Sequence, residues 1–123
     1  MSREHLIAVV DDDESFGTAL VDSLVSLGYE TLGFASAEEF IAWEADASCS
    51  CVITDIHMTG MNGLDLARFL SGRPKGVPVV LVTARSDVNI DDHAAAIGAI
   101  CLLRKPFRTE ELIHCVDIAL NFQ

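Results

Sequence analysis

The chain alternates between short apolar runs with strand character and longer segments with helical periodicity. Runs such as 6–10 and 51–54 are apolar on both faces, which is typical of strands buried within a parallel sheet. The predicted strands cover 6–10, 30–34, 51–54, 78–83 and 100–103. Strands that alternate with helices in this way predict a doubly wound α/β fold, in which helices cover both faces of a five-stranded parallel sheet.

Helical periodicity predicts five helices, one after each strand. The first ends at Gly28, and the second begins with a capping box at Ser36. The third covers 64–70, and the last begins at Thr109, which we expect to cap it. The fourth, after Asp87, has the weakest apolar stripe. Because the sequence contains no linker and no repeat, residues 1–123 are expected to form a single domain.

The balance of charge excludes some classes of partner. Acidic residues outnumber basic ones by 19 to 8, which gives a formal net charge of −11. Such a surface repels phosphate backbones, so direct binding of nucleic acid by this chain is not expected. No apolar run approaches the roughly 18 residues of a membrane helix, and the start of the chain does not resemble a secretory signal. A cytoplasmic location is therefore expected.

The four cysteines, Cys49, Cys51, Cys101 and Cys115, show no spacing typical of a disulfide framework. Cys49 and Cys51 are separated by one residue, but no second cluster completes a metal site. We therefore interpret all four as buried or idle thiols.

Polar residues follow four of the predicted strands at the point where each strand ends. Asp11 and Asp12 follow the first strand, Asp55 follows the third, Thr83 ends the fourth, and Lys105 comes after the fifth. In open α/β sheets, the working site lies beyond the carboxyl ends of the strands, near the switch point in strand order. We therefore expect these five side chains to converge on one site.

The chemistry of this set points to phosphoryl transfer. Three carboxylates at one sheet edge repel one another, so a cation is needed if all are to stay ionised. Mg²⁺ suits this role, with Asp11 and Asp12 holding it directly or through water. Asp55 would supply another ligand and the nucleophile, which would form an acyl phosphate. Lys105 would neutralise charge on the transferred group, and the hydroxyl of Thr83 would donate to it.

These residues resemble the receiver domains of two-component response regulators, also called CheY-like domains. The resemblance spans essentially the whole chain and is similar in pattern to the FixJ-type branch, whose receivers usually precede a helix-turn-helix output domain. The motifs that carry it are Asp11-Asp12, Val52-Ile53-Thr54-Asp55, Met58-x-x-Met61-Asn62-Gly63, Val82-Thr83-Ala84, Gly98-Ala99 and Lys105-Pro106-Phe107.

The resemblance implies a flavodoxin-like fold with strand order 2-1-3-4-5 and five helices. It implies that a histidine kinase or phosphotransfer protein passes a phosphoryl group from a phosphohistidine to Asp55. The backbone carbonyl of His57 would complete the Mg²⁺ shell, and the amide of Ala84 would help hold the phosphoryl group. Signalling would use the surface of the fourth helix, fifth strand and fifth helix, through dimerisation or partner docking. The only catalysis expected is the domain's own phosphoryl transfer and dephosphorylation.

Two residues depart from the family pattern. Thr59 stands where a proline is usual, which removes a fixed φ angle and restores a donor, and so loosens the loop. Leu102 stands where Tyr or Phe usually turns inward as the switch operates. We therefore expect phosphorylation to be read out through a different surface or with smaller amplitude. His57 and Arg85, which flank the approach of the hydrolytic water in the family, are expected to set the lifetime of the phosphoryl group.

Two alternative functions fit parts of the sequence. A pseudo-receiver keeps the fold as a protein-interaction module without phospho-switching. Its usual mark is loss of the acceptor, an acid or the lysine, none of which is lost here, and Leu102 and Thr59 leave it open. A haloacid-dehalogenase-type phosphatase would use 11–15 as its nucleophile motif. Its second acidic pair should follow the motif lysine, but 91–92 precedes Lys105, and Asp55 would have no role.

Overall fold

The computed structural model describes residues 6–44, 49–73, 76–83 and 98–121. Five strands form one parallel sheet in the order β2-β1-β3-β4-β5, which confirms the predicted topology. The strands are Leu6–Val10 (β1), Glu30–Phe34 (β2), Cys51–Asp55 (β3), Val79–Thr83 (β4) and Cys101–Arg104 (β5). Their bounds differ from the predicted ones by at most one residue at either end.

The described residues contain four of the five predicted helices. They are Glu14–Ser26 (α1), Ala37–Glu44 (α2), Gly63–Ser71 (α3) and the C-terminal helix, Thr109–Leu120. The remaining prediction, a helix after Asp87, falls outside the described residues. Among the helices that are described, none combines the length and the apolar character needed to cross a membrane.

Two hydrophobic cores lie on opposite faces of the sheet. Alternate residues of a strand point to opposite faces, so Ile7 belongs to one core and Ala8 to the other. The first core contains residues of α1 and the C-terminal helix, and the second contains residues of α2 and α3. β3 and β4 are buried along their whole length, whereas β2 and β5 are partly exposed edges. This explains why the runs that form the central strands are apolar without alternation.

The helix starts follow the sequence signals with one exception. The carboxylate of Asp13 accepts a hydrogen bond from the Phe16 amide at 3.2 Å and caps α1. The prediction that Thr109 caps the C-terminal helix is wrong, because Arg108 holds the cap position with extended backbone. The Arg108 amide donates to the Glu111 carboxylate at 2.8 Å, so the start of this helix is closed from within its first turn.

One pair of cysteines contradicts the interpretation of idle thiols. Cys101 on β5 and Cys115 on the C-terminal helix form a disulfide, with their Cα atoms 5.8 Å apart. The pair arises from packing of the helix on the edge strand, and the sequence spacing carries no signal for it. Cys49 and Cys51 are free thiols, and burial raises the pKa of each to about 12, so both stay protonated at neutral pH.

Candidate functional site

The ends of the central strands bring the predicted residues together at one edge of the sheet. Strand pairing sets Val10 beside Thr54, so Asp11 and Asp55 follow at the same level. The Lys105 amide donates to the Thr83 carbonyl at 2.7 Å, which fixes the backbone of the lysine beside the end of β4. The prediction that these strand ends converge therefore agrees with the geometry.

Three carboxylates form an acidic cluster in which one oxygen from each of Asp11, Asp12 and Asp55 lies within 4.8 Å of the others. Asp11 and Asp55 are buried, and Asp12 is exposed. Backbone amides hold the carboxylates of Asp11 and Asp12: Asp13 N–H donates to Asp11 Oδ1 at 2.8 Å, and Thr59 N–H donates to Asp12 Oδ2 at 3.0 Å. Backbone donors from two loops thus orientate these two members of the cluster.

Lys105 faces the cluster from the β5 side. Its ammonium nitrogen lies 3.6 Å from Asp11 Oδ2 and 3.6 Å from Asp55 Oδ1, and only 20% of its side chain is exposed. The same nitrogen lies 3.8 Å from the centroid of the Phe16 ring on α1. Helical periodicity places Phe16 on the core-facing side of α1, and no sequence signal predicts its contact with Lys105.

The electrostatics of the two buried carboxylates favour a bound cation. Burial raises the pKa of Asp55, the nearby charge of Asp11 raises it further, and Lys105 acts in the opposite direction. Burial also raises the pKa of Asp11, against the Asp13 amide and Lys105. Lys105 alone therefore does not offset the cost of ionising both groups. A hard divalent cation that prefers oxygen ligands, as Mg²⁺ does, fits this donor set.

The start of α3 packs directly against the end of β3. The Gly63 amide donates to the Ile56 carbonyl at 2.9 Å, and a Cβ atom at Gly63 would lie 2.9 Å from the Ile56 Cα atom and even closer to the Asp55 carbonyl. Asn62 caps the helix by accepting from the Asp65 amide at 2.8 Å. Only glycine allows this close approach, which holds the backbone of Asp55 in place.

The other predicted residues are placed as follows. His57 is exposed in the loop after β3. Thr83 is fully buried at the end of β4. Leu102 is half-buried on β5 and packs against the core beneath α2 and α3. Ala84 and Arg85, predicted to hold the phosphoryl group and to tune its lifetime, lie outside the described residues.

Comparison with known sequences identifies relatives along nearly the whole chain. The family model described as "Response regulator receiver domain" matches residues 7–117. The response regulator protein TmoT of Ectopseudomonas mendocina is 33% identical over 119 residues, which are 97% of this chain and 54% of that protein. The chain thus spans about half the length of the curated relatives it matches.

Solved structures show the same architecture. A crystal structure titled FixJ-N is 27% identical, with a TM-score of 0.90, and the match covers 99% of this chain and 98% of that one. The response regulator TrrA of Thermotoga maritima, solved in complex with Mg²⁺-BeF, is 30% identical with a TM-score of 0.84. That match covers 94% of this chain and 99% of TrrA.

Proposed function

The chain belongs to the receiver domain family of response regulators, and from that premise we propose that Asp55 is its phosphoacceptor. Receivers are the phosphorylation-dependent switches of two-component signal transduction, and this domain is one of them. The observation that carries the assignment of Asp55 is its position. Asp55 is 8% exposed at the end of a central strand, and its carboxylate lies beside Asp11 and within ion-pair distance of Lys105.

The acidic cluster is the proposed Mg²⁺ site. Asp11, Asp12 and Asp55 would provide carboxylate oxygens, and the backbone carbonyl of His57 would complete the shell. When bound, Mg²⁺ neutralises charge on the transferred phosphoryl oxygens. Two observations support this assignment: the three carboxylate oxygens lie within 4.8 Å of one another, and the TrrA relative was solved in complex with Mg²⁺-BeF.

The residues around Asp55 divide the remaining work. An Asp55 carboxylate oxygen attacks phosphorus while the bond from phosphorus to the donor breaks, and an acyl phosphate forms. The Lys105 ammonium pairs with a phosphoryl oxygen and thereby neutralises part of the negative charge that the phosphoryl group brings to Asp55. Thr83 donates its hydroxyl to the phosphoryl group, and the Ala84 amide donates to the same group. The later hydrolysis of the acyl phosphate, tuned by His57 and Arg85, resets the switch.

The partners follow from the family and from the charge. The donor is a sensor histidine kinase or a phosphotransfer protein, and the domain works in the cytoplasm. The output surface consists of β5, the C-terminal helix and the predicted helix before β5, through which a partner, an output domain or a second copy docks. A net charge of −11 disfavours direct contact with nucleic acid, so any such contact belongs to another domain or protein.

A phosphorylation assay tests this function directly. The protein is incubated with Mg²⁺ and acetyl phosphate, and its intact mass is compared with that of Asp55→Asn. We expect one added phosphoryl group in the natural sequence and none without metal or in the variant. Circular dichroism verifies that both proteins are folded. Absence of the adduct in folded, Mg²⁺-bound protein would favour the pseudo-receiver, and sustained turnover of an excess phosphomonoester would favour the phosphatase.

A further inference from the structure

Phe16 contacts the ammonium group of Lys105 through the face of its ring. The Lys105 ammonium lies 3.8 Å from the ring centroid, close to the distance of its two carboxylate neighbours. We infer that Phe16 is a positioning residue, which holds the Lys105 ammonium by a cation–π interaction at the place where it meets the phosphoryl group. The inference deepens the proposed function and rests on it for the role of Lys105.

The ring of Phe16 is itself held in place. Its backbone amide donates to the Asp13 carboxylate at the start of α1, which fixes the first turn of the helix. Phe107 packs edge-to-face against the ring, with centroids 6.0 Å apart and an angle of 87° between the planes. Both rings are partly buried against the core beneath α1 and the C-terminal helix. A ring with so little freedom can determine where a long, flexible lysine side chain lies.

The carboxylates alone cannot hold Lys105 in this way throughout the reaction. Any cation held by the acidic cluster repels the ammonium and reduces the attraction of Asp11 and Asp55 for it. The Phe16 ring carries no net charge that a cation could neutralise, so its attraction for the ammonium persists. Phe16 is thus the described contact of Lys105 whose strength does not depend on the charge state of the cluster.

A purely structural role for Phe16 makes a different prediction. In that case the ring fills space between α1 and Phe107, and any side chain of the same shape serves equally well. A positioning role depends on the electrons of the ring face, since the attraction arises from its quadrupole. Substitutions that keep the shape and change the electron density therefore separate the two roles.

The first test requires neither metal nor phosphodonor. Protons of the Lys105 ε-methylene group lie close to the ring face, so their NMR signals should be shifted upfield by the ring current. We expect the shift to be lost in Phe16→Leu and retained in Phe16→Tyr. It should be smaller in Phe107→Leu, which keeps the Phe16 ring but removes the ring that packs against it. Ordinary lysine shifts in the natural sequence would overturn the proposed contact, whatever the outcome for phosphorylation.

The second test measures the rate of phosphorylation by acetyl phosphate with Mg²⁺. An interaction of this class changes a rate by roughly two- to thirtyfold, and we expect Phe16→Leu to be slower by about three- to tenfold. Phe16→Tyr should restore the rate to within about twofold, because it keeps the ring face. Asp55 should remain the acceptor in each variant, since none of them alters its carboxylate or the strand that positions it.

Fluorinated phenylalanines at position 16 give the sharpest version of this test. They nearly preserve the shape of the ring and withdraw electron density in proportion to the number of fluorine atoms, so they remain informative even if Phe16→Leu fails to fold. We expect the rate to fall stepwise along the series. A flat series in a protein that is phosphorylated would overturn the inference and leave the proposed function intact, whereas failure of the natural sequence to accept phosphate would overturn the proposed function.

Discussion

The two sides of the site are built in different ways. The acidic side consists of Asp11, Asp12 and Asp55, which end or follow the central strands β1 and β3, each paired on both sides in the sheet. The lysine side consists of Lys105, which follows the edge strand β5, the Phe16 ring that contacts it, and the Phe107 ring that packs against Phe16. Strand register positions the acidic side, and contacts between side chains position the lysine side.

This difference predicts where each side is sensitive. A position set by the backbone tolerates changes in neighbouring side chains and fails when the backbone is displaced. A position set by a few side-chain contacts depends on the chemistry of each of them. The β5 edge, which leads into Lys105, is also tied covalently to the C-terminal helix by the disulfide Cys101–Cys115.

The largest effect is expected where the backbone of the acidic side is disturbed. In Gly63→Ala, the new Cβ atom would press on the backbone of Asp55 and Ile56, which cannot move without shifting β3. Overpacking of this kind typically costs about 1–3 kcal/mol and occasionally more, and a backbone contact places this variant at the upper end. Chemical denaturation measures the loss, and the rate of phosphorylation should fall with it.

Gly17→Ala is the matched control, since its Cβ atom would also approach the acidic side. There it would lie 3.7 Å from the Asp11 Cβ atom and 3.8 Å from the Asp11 carbonyl, which are ordinary contacts. Gly17 lies within α1, so alanine should stabilise the helix by up to about 1 kcal/mol. Equal behaviour of the two variants would show that backbone approach at Gly63 does not hold Asp55 in place.

A second effect concerns the folded state, which the ionised Asp55 carboxylate on the acidic side destabilises. Burial, and then the charge of Asp11, raise the pKa of Asp55 in the folded protein. The folded state therefore binds a proton more tightly than the unfolded chain. Stability then falls as pH rises from the ordinary aspartate pKa through the raised one, by about 1.4 kcal/mol for each unit between them. In the presence of a chelator, Asp55→Asn should be more stable than the natural sequence at neutral pH.

The pH dependence of this gain distinguishes it from a general effect of removing charge. The advantage of Asp55→Asn should shrink as pH falls toward the ordinary aspartate pKa, because the natural side chain is then protonated as well. Asp22→Asn removes an acid from the exposed face of α1 and should show no such gain. Denaturation curves across this pH range measure the difference. If Asp55→Asn were more stable by the same free energy at all pH values, the gain would not come from removing the ionised, buried carboxylate.

The predictability of the site follows the same division. The sequence predicts the positions of Asp11, Asp55, Thr83 and Lys105 at neighbouring strand ends, because parallel strands align their carboxyl ends whatever packs around them. It does not predict the contact between Phe16 and Lys105, because periodicity shows which face of α1 is buried and not which residue it meets. The same limit explains the missed disulfide, whose partners meet only when the C-terminal helix packs on β5.

Sequence signals for helix caps mislead where either of two neighbouring residues can hold the cap position. Ser36 and Asp13 cap their helices as their residue types predict. At the C-terminal helix, Glu111 accepts from the Arg108 amide, so the threonine that follows can be the first helical residue. A hydroxyl residue near the start of a helix therefore indicates where the helix begins to within about one residue, but does not by itself fix which residue holds the cap position.

The smallest effect tests a contact that joins the acidic side to a loop. Thr59 stands where receivers usually have proline, and its amide donates to Asp12 Oδ2 at 3.0 Å, which a proline could not do. Fixing the exposed carboxylate reduces the entropy that it loses on binding a cation. Thr59→Pro should therefore raise the dissociation constant for Mg²⁺ by about two- to threefold, as measured by titration of the unphosphorylated protein.

Thr59→Ala separates the amide from the side chain in this experiment. It keeps the donor and removes the hydroxyl and methyl groups, so its affinity for Mg²⁺ should match that of the natural sequence. Hydrogen exchange gives a second measurement. The amide of residue 59 should be protected in the natural sequence and in Thr59→Ala, and it should lose protection in Asp12→Ala. Equal affinity of the Pro and Ala variants for Mg²⁺ would mean that the ends of the strands alone orientate the acidic side. Side-chain and loop contacts would then matter only on the lysine side.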